Sequence, residues 1–239
     1  MVERIGGNKN AFLLSAAILA LGVTIGGYLL GDGLRRSRMA DRAVTVRGLA
    51  ERDVTADLAT WTINYQEQGN DFAAVQSGID QDTRVITDFF RNAGFKPSDV
   101  QSAGVSVSNF YDADRGGNIV TVRRKLQLRT RDVMKARAAF ARQFDLIRGG
   151  VAIEEGSDVT YSFTKLNDVK PAMIAAATQD ARRGAQQFAA DSGTEVGGIR
   201  SATQGYFSIG ARDGEDAGSG NDSPFQKVRV VTTIEFYLD

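Results

Sequence analysis

The chain contains neither cysteine nor histidine. The first absence excludes disulfides, thiolate nucleophiles, iron–sulfur clusters and thiolate-bound zinc. It suits any compartment, including an oxidising one where a stray thiol is a hazard. The second absence removes the commonest general base, the commonest transition-metal ligand and the usual partner of a nucleophilic serine. Carboxylate, lysine or tyrosine chemistry would have to carry any catalysis. The sequence also has no G-x-S-x-G elbow and no G-x-x-x-x-G-K-[ST] phosphate loop. No catalytic residue, cofactor site or metal site is expected, and the protein is read as a non-enzyme.

A basic excess is missing too. Lysine and arginine total 29 against 29 aspartates and glutamates, and the residues beyond 42 carry a slight acidic surplus. That balance argues against nucleic acid as a partner, which calls for clustered positive charge.

What is present is a long apolar run near the start. Residues 11–31, AFLLSAAILALGVTIGGYLLG, carry no charge. At 1.5 Å per residue they would make roughly 31 Å of helix, matched to a hydrocarbon core of about 30 Å. A cleaved signal usually has a shorter apolar core and a small-x-small cleavage site, and Gly31-Asp32-Gly33 is a poor one. A buried core helix would need a polar face, and only Ser15, Thr24 and Tyr28 offer one. An uncleaved anchor fits best, with residues 1–10 ahead of it and a polar juxtamembrane linker over 32–42. Gly22-x-x-x-Gly26 and Gly27-x-x-x-Gly31 place glycines one turn apart, a spacing that lets anchors pack closely in a bilayer. Basic residues Arg35, Arg36, Arg38 and Arg42 outnumber Arg4 and Lys9, which alone would leave the following domain in the cytoplasm.

Beyond residue 43 the patterning alternates between strand and helix. Strands are expected at 43–50 and 58–66, the latter with Ala59, Trp61, Ile63 and Tyr65 inward. Asn70 or Asp71 should cap a helix to about Ala93, burying Phe72, Val75, Ile79, Ile86 and Phe89, with Gly94 as its stop. Strands at 100–110 and 119–130 follow, then a helix capped by Asp132 with Val133, Phe140, Phe144 and Ile147 inward. A strand around Val159, Tyr161 and Phe163, a long alanine-rich helix over 169–191 and strands at 198–209 and 226–238 complete the chain. The order strand, helix, strand, loop, strand occurs twice, over 58–130 and 158–238. This implies an α+β fold of mostly antiparallel sheets covered by helices, built from two related βαββ units (about 43–150 and 151–239) after one transmembrane helix.

Three clusters invite a binding role. Asp112 and Asp114 form a D-x-D loop, but Gly116 stands where a third calcium ligand is needed, so a hairpin loop is expected. Asp213, Glu215, Asp216 and Asp222 lie among glycines, a composition of loops. Arg123, Lys125 and Arg129 share one face of a strand, with Arg124 on the other, and read first as a solvated sheet face.

Three stretches carry a family resemblance: VTVRGLAERDVTADLATWTI, FFRNAGFKPSDVQSAGVSV and AMIAAATQDARRGAQQFAADSGTEVGGI. In the last, Ala177, Asp180, Ala181, Arg182, Ala185, Ala189 and Gly193 fit an alanine-rich pattern. Together they resemble the SIMPL-domain family, bacterial periplasmic proteins that include the periplasmic immunogenic proteins. Ala56 stands where that family often has proline, and the anchor replaces a plainly cleavable signal. The resemblance implies an envelope-facing α+β domain, with members that form large rings and a reported link to envelope or oxidative stress. It implies no catalytic residues. It also implies a single-pass inner-membrane protein with its domain in the periplasm, held to the membrane through 11–31. The expected function is homo-oligomeric assembly, including a ring, or binding of another envelope protein. The alternative is a module that binds a small ligand or peptide.

Overall fold

The computed structural model describes residues 7–40, 42–112, 117–212 and 221–238. Helix α1 spans Gly7–Ala40, and within it Leu13–Gly33 is long and apolar enough to cross a membrane. None of that stretch is buried by protein. The helix continues through the polar residues after Gly31 rather than ending in a linker. Leucine, arginine, methionine and alanine are good helix formers, and no proline interrupts them.

The remaining elements are β1 (Ala43–Thr55), β2 (Leu58–Gly69), α2 (Phe72–Asn92), β3 (Val100–Asp112), β4 (Gly117–Thr130), α3 (Val133–Phe140), α4 (Phe144–Arg148), β5 (Val159–Ser162), α5 (Leu166–Ser192), β6 (Val196–Ala211) and β7 (Phe225–Leu238). They form a mixed α+β fold with two antiparallel sheets, ordered β1-β7-β6 and β3-β4-β2-β5. By their contacts the residues group into two units. One comprises Met1–Ala50, Ile174–Tyr206 and Val231–Asp239; the other comprises Glu51–Met173 and Phe207–Val230.

In the second unit, alternation decides which face of the sheet is covered. Ala59, Trp61, Ile63 and Tyr65 of β2 and Val122, Leu126 and Leu128 of β4 are buried, opposed in register as Trp61↔Leu128 and Ile63↔Leu126. Helix α2 lays Val75, Ile79, Ile86 and Phe90 on this face, and Trp61 meets Phe89, Phe90 and Phe140 edge to face at 5.2–6.0 Å. The Asp71 carboxylate accepts from the amides of Ala73 and Ala74, capping α2 as expected, and Gly94 follows the helix at φ +85°. Phe72, expected inward, is half exposed. Its first-turn side chain leans toward the helix N-terminus, beyond the stripe that Val75 begins.

The helix expected after Asp132 is broken between α3 and α4. The break resets the helical phase, so Leu146 is buried while Phe144 and Ile147, both expected inward, face out. Strand β4 also buries Ile119 and Thr121 at its start, where a one-sided strand was expected.

In the first unit, α5 lies almost against the backbone of β1. Ala177, Ala181, Ala185 and Ala189 recur every fourth residue and are fully buried, and Ala181 and Ala185 pack with Val44, Val46, Ile234 and Phe236. At Gly48 the approach is closest. A Cβ there would sit 1.9 Å from the Ala177 carbonyl oxygen and 2.6 Å from the Ala181 nitrogen. Beside this contact the Asp180 carboxylate accepts from the Leu49 amide at 2.9 Å. Gly48→Ala should therefore lower stability by about 3 kcal/mol or more, because both obstacles are backbone atoms that cannot rotate aside. Gly198→Ala, with open space around its Cβ position, should stay within about 1 kcal/mol of the parent. Denaturant unfolding of both variants checks the contrast.

Candidate functional site

The two edges of the four-stranded sheet differ. Beyond β5 the edge is sealed: Tyr161 N–H donates to the Asn221 carbonyl at 2.8 Å, and Gln226 Nε2 donates to the Tyr161 carbonyl at 2.9 Å. At the other end stands β3, which among the described residues pairs only with β4. Residues Val100–Tyr111 contain no charged residue and no proline, two of the devices that blunt an exposed edge. Its side chains from Gln101 to Tyr111 are exposed, with Val105 at 64%, Val107 at 56% and Phe110 at 51%. The register skips between Ser102 and Gly104, so Ala103 is a bulge. Beyond it Val105, Val107, Asn109 and Tyr111 lie on the face that carries α2, while Gly104, Ser106, Ser108 and Phe110 lie on the opposite one.

The cationic residues singled out in the sequence do not come together as one site. Arg123 and Lys125 lie on the sheet face away from α2 and line an open trough of about 800 Å³ with Asn64, Gln66, Ser106 and Glu154. Arg123 Nε donates to Glu154 at 3.2 Å, and Asn64 Nδ2 donates to the Gly156 carbonyl at 2.9 Å. The buried Gln66 Oε1 has no hydrogen-bond partner among the described residues. Arg129 instead borders a second depression beside Asp57 and Thr164. Arg124 turns to the other face, as its register requires, and donates to Asp80 at 3.0 Å and to Thr83 at 2.8 Å.

Asp57, in the first of the family-like stretches, is a clamp between β2 and the end of β5. It accepts from the Thr164 amide at 2.6 Å and the Thr164 hydroxyl at 2.7 Å. Burial pushes its carboxyl up, yet these hydrogen bonds outweigh that and hold it below the ordinary aspartate value. Ser162 and Lys165 have S-x-x-K spacing, but Ser162 ends a strand, so the helical turn that would bring the two side chains together is absent.

In α1, Gly22, Gly26, Gly27 and Gly31 have no atom from outside the helix within 4 Å of their Cβ positions, leaving both glycine pairs open. Strand β3 ends at Asp112, and Asp114 and Gly116 lie outside the described residues, as do Asp213, Glu215 and Asp216. Among the described residues no group of three or more acidic side chains could hold a metal ion.

One buried carboxylate escaped the sequence reading. Asp82 falls on the Val75–Ile79–Ile86–Phe90 stripe of α2, is 6% exposed, and its Oδ2 accepts no hydrogen bond. Desolvation, and then the nearby Glu67 carboxylate, push its pKa up to about 6. The folded state thus holds this proton more tightly than the unfolded chain. The stabilisation is complete below about pH 4 and is lost as pH rises through about 6. Asp82→Asn should match the parent near pH 4 and exceed it by up to about 3 kcal/mol at pH 8. Denaturant melts across that range measure the widening gap; a constant gap would contradict it.

Comparison with known proteins matches a family profile, SIMPL, described as protein of unknown function (DUF541), over residues 44–236. No curated protein matches the chain. The match takes in both sheets, α2 to α5 and the whole of β3, and leaves α1 outside it. The chain belongs to the SIMPL family.

Proposed function

We propose that this protein is a non-enzymatic, membrane-tethered periplasmic domain that acts by protein–protein contact, through strand addition at β3. The observation that carries this reading is the edge itself, unpaired among the described residues, twelve residues from Val100 to Tyr111 without a charge. Such an edge presents a row of backbone donors and acceptors to any extended segment that approaches. The apolar helix α1 supports a membrane tether, and its open glycine pairs support association within the bilayer. The absence of histidine and cysteine supports a role without catalysis. Resemblance to envelope proteins supports the periplasmic side and a place in envelope stress.

A second reading, a site for a small ligand, draws on the trough between Arg123, Lys125 and Glu154 and on the unpaired Gln66 Oε1. Its open shape and mixed charge fit a solvated sheet face at least as well.

Light scattering of the full-length protein in mild detergent should give a discrete particle of several 25.8 kDa chains. A single-chain mass would sink the assembly reading. For orientation, Ser77→Cys creates the sole thiol of the chain at an exposed site on α2. A membrane-impermeant maleimide should label it in cells whose outer membrane alone is permeabilised. Labelling only after lysis would place the domain in the cytoplasm.

A further inference from the structure

The trough on the four-stranded sheet carries one spare charge of each sign, and we infer that it takes a short peptide with free amino and carboxyl ends. This rests on the reading of the trough as a ligand site.

Register fixes the floor. Asn64 stands opposite Lys125 and Gln66 opposite Arg123, while Gly104 and Ser106 of β3 face the same two residues from the other side. Six positions from three strands thus form one block on the sheet face away from α2. Beyond β2 the block is walled by residues 153–156, which are tied to Asn64. Glu154 N–H donates to the Asn64 carbonyl at 2.8 Å, and Asn64 Nδ2 donates to the Gly156 carbonyl at 2.9 Å. Within this frame Arg123 and Glu154 pair at 3.2 Å and offset each other's charge. Lys125 and Glu155 are exposed side chains of the same trough, and among the described residues neither has an ion-pair partner. What is left over is one cation and one carboxylate. A zwitterion complements them, with its carboxylate on Lys125 and its ammonium on Glu155. A plain anion or cation would find its partner but lie near a like charge.

Distance sets the length of the ligand. Lys125 is on β4 and Glu155 lies past the far edge of β2, so two strand spacings, roughly 10 Å in all, separate their backbones. A free amino acid is too short to cross that gap. At about 3.3–3.6 Å per residue, two or three extended residues reach across it, and a trough of about 800 Å³ has room for them. On the intervening strand sits Gln66, whose buried Oε1 lacks a donor among the described residues. An amide N–H of a peptide crossing β2 supplies one. At the Lys125 end, the bulge at Ala103 and the bare Cβ position of Gly104, with no atom within 4 Å, leave space for the last side chain.

Trialanine with free ends is the probe, titrated calorimetrically into full-length protein in mild detergent beside its N-acetylated and C-amidated forms. The free peptide should bind in the millimolar range or tighter, and blocking either end should weaken it roughly fivefold or more. Lys125→Gln should bind free and amidated peptide alike, and Lys125→Arg should restore the difference. Glu155→Gln should bind free and acetylated peptide alike. Both positions are exposed, so the variants should keep the far-ultraviolet circular dichroism of the parent. Equal affinity for free and blocked peptides, weakened by Gln66→Leu, would overturn the zwitterionic assignment and leave the trough a ligand site. A dependence on free ends that survives in both Lys125→Gln and Glu155→Gln would put the peptide elsewhere on the protein and overturn it as well. No binding of any of the three forms at about 10 mM would remove both the assignment and the ligand site.

Discussion

Gly48 allows α5 to approach β1 so closely that the helix backbone takes the space a Cβ would occupy. Much of the first unit follows from that one contact. A helix that approaches a strand this nearly can present only small side chains, and Ala177, Ala181, Ala185 and Ala189 meet the requirement at every fourth position. Close approach also brings Asp180 within 2.9 Å of the Leu49 amide, giving that donor an acceptor. Three features of the family-like stretches, a glycine, an aspartate and an alanine stripe, thus have one cause. They describe how near two backbones can come.

The second unit is held by a different principle. Its helix α2 stands off the sheet by the thickness of large side chains, with Trp61 ringed by Phe89, Phe90 and Phe140. Burial of aromatic area supplies the stabilisation there, and edge-to-face geometry orients the rings. Asp82 sits in this apolar setting at the cost of a raised pKa. Its partner across the helix–sheet gap is a like charge, Glu67, so proton binding rather than ion pairing accommodates it. Asp57 shows the opposite solution, a carboxylate held in its charged form by two donors from Thr164.

Both sheets are open, and the two edges of the four-stranded one differ. The β5 edge is closed by the segment at Asn221, whereas among the described residues nothing pairs with the outer edge of β3, and its side chains from Gln101 to Tyr111 are exposed. Of the features that commonly blunt such an edge, β3 has neither charge nor proline between Val100 and Tyr111 and has a bulge at Ala103. The cationic face of β4 offers less. Arg123 is paired with Glu154 and Arg129 lies in another depression, so positive charge is spread along the strand rather than gathered on one ligand.

Periodicity in the sequence determined most elements, because apolar spacing reports which side of a helix or strand is buried regardless of what covers it. The membrane-length helix, the Asp71 and Asp132 caps, the alternation of β2 and the inward stripe of α2 were legible in this way. Even Asp82 was visible in principle, as an acidic residue on an apolar spacing. Tertiary structure decided the rest. Pairing of β5 with β2, rather than with β6 and β7, depends on residues a hundred positions apart and leaves no local trace. The break between α3 and α4 turned Phe144 and Ile147 outward without changing composition. The uncharged run of β3 could be read directly, but that it forms an edge could not. Edge or centre is a property of a strand's neighbours, and hydrogen bonds between strands are chosen by the whole fold.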